Sequence, residues 1–329
     1  MHAAGPVCLG RGDTEAVRSD AWPLGQELPA EIGAWCLSEL GAAPVTPVLT
    51  AGHLSRVYGV TLTDGRQIVI KVRARADRIP GCWAVQRQLA AAGFPCPEPL
   101  AGPAVIGPAI VTAEALITDA RALAPTPATV PEFAGLLAWL VRLAPPPQSC
   151  GPLGPAPPWV GWDHGERGTW PLPDDLDGDL NDCDGPVIVE SAGRRLRARL
   201  RSVDLDPVVG HLDWEAHNLL WRDGAPAAVL DFDSIGVRPG AAIAGAAAAV
   251  FPSLGDTVAA TIEQSEQFLT AYQAASGREF TATERQVAWA AGAWVLAFNA
   301  RKEAARMSRG PHQDVLAADG AERLRRAGA

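Results

Sequence analysis

Apolar and polar residues recur in two different rhythms along this chain, and the change of rhythm divides it. Ile32, Trp35, Cys36 and Leu40 fall at i, i+3, i+4 and i+8, which places them on one face of a short helix over residues 27–40. From Pro47 the pattern becomes that of strands, with β-rich runs over 48–50, 57–62 and 67–72 and the tight-turn pair Asp64-Gly65 between the last two, so an antiparallel sheet is predicted. A helix over 82–92 is closed by Gly93 and Pro95, residues 95–108 are turn-rich, and 109–117 are apolar enough for a buried strand. Helical spacing then takes over. Phe133, Leu136, Leu137, Leu140 and Val141 share a face of a helix over 132–143, a helix over 190–202 carries five arginines, and further helices are predicted over 241–250, 256–275 and 281–306. The last opens with Thr281 and Glu284 in capping-box spacing. A strand-rich first third followed by a helical remainder is the signature of an α+β protein, and no internal repeat interrupts it.

Two stretches stand outside these rhythms. Residues 1–25 show no clear periodicity and read as a loosely attached extension. Residues 145–186 combine Pro and Gly with Trp159, Trp162 and Trp170 and with eight acids against Arg167 alone. This is a long insertion, either a solvated loop or a functional one. The chain thus divides into an extension with a short helix (1–40), a strand-rich lobe (41–116) and a helical lobe with the acidic insertion (117–329).

Composition narrows the classes. At 329 residues and 48% hydrophobic content the chain can bury a large core. The cysteines at 8, 36, 82, 96, 150 and 183 form no CxxC pair, so they read as reduced apolar residues rather than a zinc site or disulfide framework. The N-terminus lacks a basic segment followed by an apolar core, and no apolar run approaches a membrane span, so the cytoplasm is the expected compartment and no membrane partner is expected. A net charge of −9 argues against nucleic acid and is compatible with cationic small molecules. Of 28 basic residues only Lys71 and Lys302 are lysines, so the sequence spends a compact ammonium where a guanidinium would not serve.

The chemistry concentrates between Gly210 and Asp233. A loop carrying His211, Asp213 and Asn218 leads into an apolar strand, a turn at Arg222-Asp223-Gly224, and a second strand ending on Asp231. The hairpin brings Asn218 and Asp231 to the same open end, where their oxygens suit Mg²⁺ bridging nucleotide phosphates and Asp213 can accept the proton of an attacking hydroxyl. Taken alone, an Asp in such a turn is usually a local cap. His211 is better placed to buttress the loop than to react.

The spacing His-x-Asp-x-x-x-x-Asn followed by Asp231-Phe232, with Trp214, Trp221 and Leu230 around it, resembles the aminoglycoside phosphotransferase and choline kinase group over about residues 49–251. The resemblance implies a two-lobed protein-kinase-like fold binding ATP, or another nucleoside triphosphate, with Mg²⁺, and phosphorylating a hydroxyl of a small molecule. It implies that Lys71 holds phosphates, that Gly52 and Ser55 belong to a loop over them, and that backbone at Glu114 to Leu116 meets the base. By the same resemblance Asp213 is the catalytic base, Asn218 and Asp231 bind metal, His211 supports the loop, and Asn299 and Glu303 are candidate substrate contacts. Asp233 is either an acid near the metal and substrate or an exposed loop residue. Where the group carries a lysine-fixing Glu on the helix, this chain has Gln86; Leu212 replaces a Gly, and residues 242–244 lack an Asp. A cationic acceptor such as an aminoglycoside-like antibiotic is expected from the acidic insertion. A non-catalytic nucleotide binder, a choline or sugar kinase, or a mainly partner-binding protein are the alternatives.

Overall fold

A computed structural model describes residues 28–52, 55–255 and 258–329. Five strands, β1 (Pro44–Gly52), β2 (Arg56–Leu62), β3 (Gln67–Ala74), β4 (Pro99–Ile106) and β5 (Ala109–Ala115), form a sheet in the order β1-β2-β3-β5-β4 with every neighbouring pair antiparallel. Strand β4 occupies part of the stretch expected to be turn-rich. Its prolines at 99 and 103 hid it, but β4 is an edge strand, where a residue without an N–H costs no ladder bond. Helix α1 (Ala30–Leu40) inserts Ile32 and Cys36 against Leu62, Ile68, Ile70 and Val111, giving this lobe its own core.

Helix α2 (Ile79–Ala91) turns Cys82, Val85 and Leu89 toward the second, larger core. That core belongs to α3 (Val130–Leu143), α4 (Val187–Arg201), α5 (Gly240–Val250), α6 (Ile262–Ser276), α7 (Ala282–Ala305) and α8 (Pro311–Ala327). Two small sheets sit among them: strand β7 (Pro207–His211) pairs with β10 (Ile235–Pro239), and β6 (Arg121–Ala122), β8 (Leu219–Arg222) and β9 (Ala225–Val229) form a second. Helix α6 starts at a Thr261–Gln264 capping box, later than expected, and α7 starts at the Thr281–Glu284 box as its sequence indicates. Helix α8 was not apparent in the periodicity; it buries His312, Leu316 and Arg323.

The acidic insertion is packed through its tryptophans, while Asp163, Glu166, Asp177, Asp182 and Asp184 stay exposed. Trp162 and Trp170 are buried; the Trp170 indole N–H donates to Glu190 on α4 (3.0 Å), and Glu190 in turn receives Arg301 of α7 (2.8 Å). Arg301 also donates to the carbonyl oxygens of Leu180 (2.5 Å) and Cys183 (2.6 Å), so a guanidinium closes the insertion onto the helices. Cys36, Cys82, Cys96 and Cys150 are free thiols, as expected, whereas Cys183 is disulfide-bonded, against the expectation of reduced cysteines throughout.

Helices α5 and α7 touch backbone to backbone, which the small-residue sequence of α5 allows. A Cβ on Gly245 would lie 1.9 Å from the carbonyl oxygen of Ala288, and one on Gly292 would lie 2.6 Å from that of Gly245. Gly245→Ala is therefore expected to destabilise the protein despite a helix-propensity gain of up to about 1 kcal/mol, because forcing two backbones apart costs roughly 1–3 kcal/mol or more. A thermal melt checks this; an unchanged or higher Tm would mean that α5 and α7 can separate freely.

Candidate active site

The ribbon β7–β10 sets the frame. Ile235 pairs with His211, and the Leu212 N–H donates to Ser234 O (2.9 Å), so the residues just beyond β7 and just before β10 are stitched together. The β8–β9 turn uses Asp223 (φ 50°) and Gly224 (φ 78°), the left-handed pair that a two-residue hairpin requires. At its open end Leu230 N–H donates to Asn218 O (2.8 Å), which brings Asn218 beside Asp231.

Each polar group in this frame is oriented. His211 is buried, accepts the Asp213 N–H at Nδ1 (3.2 Å) and donates from Nε2 to Leu230 O (2.9 Å), which fixes its neutral tautomer. Burial, against weaker opposition from Asp231, pushes its pKa down, so it buttresses the loop as a neutral ring. Asn218 donates from Nδ2 to both the backbone oxygen and Oδ2 of Asp213 (3.0 Å each), leaving its own Oδ1 without a partner among the described residues. Asp231 adopts a left-handed conformation (φ 56°, ψ 54°), and Ser234 Oγ holds its Oδ2 (2.6 Å). Strained non-glycine conformations concentrate at functional sites. Burial, with Glu215 and Asp231 adding repulsion, raises the Asp213 carboxyl to about 8. Leu212 fits in place of a glycine because residue 236 is glycine: a Cβ there would meet Leu212 Cδ1 at 2.5 Å.

Across from this frame, Lys71 on β3 is buried, with its ammonium 2.9 Å from Glu114 Oε1 and within electrostatic reach of Asp231 and Asp233. Burial opposes the charge, but Glu114 and Asp233 outweigh it and raise the Lys71 pKa. Gln86 of α2 donates to Glu114 Oε2 (3.0 Å). The Leu116 N–H is donated to Gln67 O (3.1 Å) and the Ala115 N–H to Glu98 O (2.9 Å). The structure thus engages the Glu114 side chain, where the resemblance directs attention to its backbone. Asp233 is half-buried rather than an exposed loop acid, and it does not line the cavity at Asp213. It is ion-paired with Arg73 of β3, and although burial works against it, Arg73 and Lys71 hold its pKa down. Gly52 (φ 154°) and Ser55 flank the β1–β2 turn, whose central residues lie outside those described. A Cβ on Gly52 would lie 2.1 Å from Ser55 O, so the turn is closed around that glycine.

A cavity of about 240 Å³ opens onto Asp213. Leu212, Ala246, Val250 and Val295 make its apolar side, and Asn299, Lys302 and Glu303 of α7 with His312 of α8 make its polar side. Asn299 and Glu303 thus share one cavity with Asp213, although they lie far along the chain. The charges of the wall are paired internally: Glu303 accepts from His312 Nδ1 (2.7 Å), and Asp175 of the insertion binds Lys302 (2.8 Å) and Arg306 (3.1 Å). Trp159 of the insertion donates its indole N–H to Leu212 O (2.7 Å), directly behind Asp213. Sequence reasoning missed Arg73 and His312 and read Asp175 only as one of the insertion's acids. Only Lys302 carried a signal, as one of two lysines.

Fold and site together define a kinase-type phosphotransferase: a strand lobe with a buried lysine facing a helical lobe that carries an Asp, an Asn and a second Asp in one bonded frame. The chain belongs to the phosphotransferase enzyme family designated APH, whose model matches residues 46–289. No curated protein matches it in sequence. Among solved structures it is similar to an amicoumacin kinase in complex with AMP-PNP, Ca²⁺ and Ami (TM-score 0.64, 12% identity, 90% of this chain and 96% of that chain covered). It is also similar to a putative aminoglycoside phosphotransferase from Ralstonia eutropha (0.57, 14%, 92% and 97%) and to a macrolide 2′-phosphotransferase from Brachybacterium faecium (0.54, 16%, 88% and 97%).

Proposed function

We propose that this phosphotransferase moves the γ-phosphoryl group of ATP, with Mg²⁺, onto a hydroxyl of a small cationic acceptor such as an aminoglycoside-like antibiotic. The observation that carries the reading is the bonded frame Asp213–Asn218–Asp231, which faces Lys71 on one side and opens on the other into the cavity lined by Asn299 and Glu303. Family membership and similar structures named for amicoumacin, aminoglycosides and macrolides support an antibiotic-like acceptor.

The donor set fits a magnesium ion. Asn218 spends both hydrogens of its amide nitrogen on Asp213 and Asp231 is held by one oxygen, which leaves one hard oxygen on each side chain. Mg²⁺ favours one or two protein oxygens together with substrate phosphates and water. No cluster of three or more His, Cys, Asp or Glu that could form an all-protein metal cage occurs among the described residues. When bound, the metal would offset charge on the phosphates; Lys71 would hold their other side, and Asp213 would orient the acceptor hydroxyl and take its proton. The reading takes the activity to be cytoplasmic, and the net charge of −9 supports a small-molecule rather than a nucleic-acid partner; no helix among the described residues is long and apolar enough to cross a membrane.

The acidic insertion supports a cationic acceptor through its field rather than through every carboxylate, since Asp175 is neutralised by Lys302 and Arg306 and Asp179 accepts from Asn181 within its own turn (2.8 Å). Incubating the protein with MgATP and a panel of cationic and neutral hydroxylated compounds tests the reading by mass gain of one phosphoryl group. No transfer to any member would sink it. For a cationic acceptor, KM should rise with ionic strength at constant kcat, because exposed charges are screened within about 8–10 Å at 0.1–0.15 M salt. A KM that ignores salt, or a preferred acceptor that is neutral, would remove the cationic element of the proposal.

A further inference from the structure

We propose that Glu114, from strand β5, positions Lys71 for the nucleotide phosphates and that Gln86 of α2 orients Glu114, so that this chain carries its lysine-holding carboxylate on the sheet. The inference rests on the ATP-binding reading above. It begins from a cross-strand relation: in the β3–β5 register Lys71 is opposite Thr112 and Glu114 is opposite Val69, so Lys71 and Glu114 are diagonal neighbours on one face. Their ion pair is 2.9 Å long, and both residues are almost wholly buried.

The hydrogen bonds leave little freedom. Glu114 Oε1 takes Lys71 and Oε2 takes Gln86 Nε2 (3.0 Å), while the same Nε2 donates to Pro97 O (3.0 Å). Both hydrogens of the Gln86 amide are thereby used on acceptors, so a flipped amide would set oxygen against oxygen. One of the three ammonium hydrogens goes to Glu114, and the others remain for phosphate oxygens. A buried ion pair is weak evidence for stability, since its desolvation offsets its attraction. Its geometric value is that it holds a flexible lysine in one extended pose. A glutamine at position 86 is what this arrangement needs, since a second carboxylate there would lie against Glu114.

Strand β5 is hydrogen-bonded on both sides, to β3 and β4, so Glu114 stands on a support fixed within the sheet. Lys71 is therefore held in place without a helix having to swing in, and the nucleotide site is assembled at all times.

Calorimetry of the full-length protein with MgATP and, separately, with adenosine tests this. Adenosine lacks the phosphates that Lys71 would hold, so a displaced lysine leaves its binding unchanged, whereas a disrupted fold does not. Glu114→Gln should weaken MgATP binding about tenfold or more, the scale of a charge-assisted bond, and leave adenosine within about twofold. The double variant Lys71→Ala/Glu114→Gln should bind MgATP no more weakly than Lys71→Ala alone. Moving the carboxylate in Gln86→Glu/Glu114→Gln should restore part of the affinity. Unchanged MgATP affinity in Glu114→Gln, equal loss of adenosine in a folded variant, or additive losses in the double variant would each overturn the inference. Should Glu114→Gln fail to fold, Gln86→Leu reads the same pair: a loss of about threefold for MgATP alone supports it, and no loss overturns it. A wild-type protein that binds no MgATP overturns the functional reading and this inference together; wild-type binding that Glu114→Gln retains overturns this inference alone.

Discussion

Asp231→Ala is expected to abolish magnesium-dependent nucleotide binding, with a loss of about 10²-fold or more in MgATP affinity, because a methyl group cannot replace a carboxylate between metal and phosphates. Alanine also fits the left-handed backbone at this position poorly (φ 56°), so Asp231→Asn is the companion variant. Asn tolerates that conformation and can still accept from Ser234, which holds Asp231 at 2.6 Å, but it lacks the charge. Both variants should lose the dependence of ATP affinity on Mg²⁺ while staying folded by circular dichroism. Undiminished MgATP affinity in either would remove Asp231 from the metal site.

The second large effect separates binding from chemistry. Asp213→Asn should keep nucleotide affinity and lose turnover by about 10²-fold or more, since the metal ligands remain while the proton acceptor is gone. An asparagine at 213 can still offer an oxygen to Asn218 Nδ2, which donates to Asp213 Oδ2 at 3.0 Å, so the frame survives the change. Stopped-assay turnover and ATP affinity measured on the same preparation decide it: equal turnover excludes Asp213 as the base, and a parallel loss of ATP binding makes it part of the nucleotide site instead.

Much of this arrangement was legible because it is local in sequence. The stretch from His211 to Asp231 contains its own turn signal at Asp223-Gly224, so the proximity of Asn218 to Asp231 follows from hairpin geometry. Lys71 was marked by its rarity and by the strand it lies on. The cavity beside Asp213 was only partly readable: Asn299 and Glu303 were suggested by resemblance, but Asp175, Lys302 and His312 come from an irregular segment and two helices whose packing no local rule fixes. Glu114 had a readable sign that was passed over. It is a carboxylate inside an otherwise uncharged strand of seven residues, and such an acid requires a buried partner. The tryptophans of the insertion misled in the other direction, because proline, glycine and acids around Trp162 and Trp170 concealed that both are core residues.

The ribbon β7–β10 keeps the proposed proton acceptor and the proposed metal ligands on one support. His211 bonds Leu230, Leu212 bonds Ser234, and Asn218 bonds both Leu230 and Asp213, so Asp213, Asn218 and Asp231 share one bonded insert within the helical lobe. Lys71 rides on the other lobe, whose polar ties to this insert include the Arg73–Asp233 pair and Arg78 bound to Ile235 O (2.6 Å). Substitutions in the strand lobe are therefore expected to disturb the lysine while leaving the spacing of Asp213, Asn218 and Asp231 unchanged.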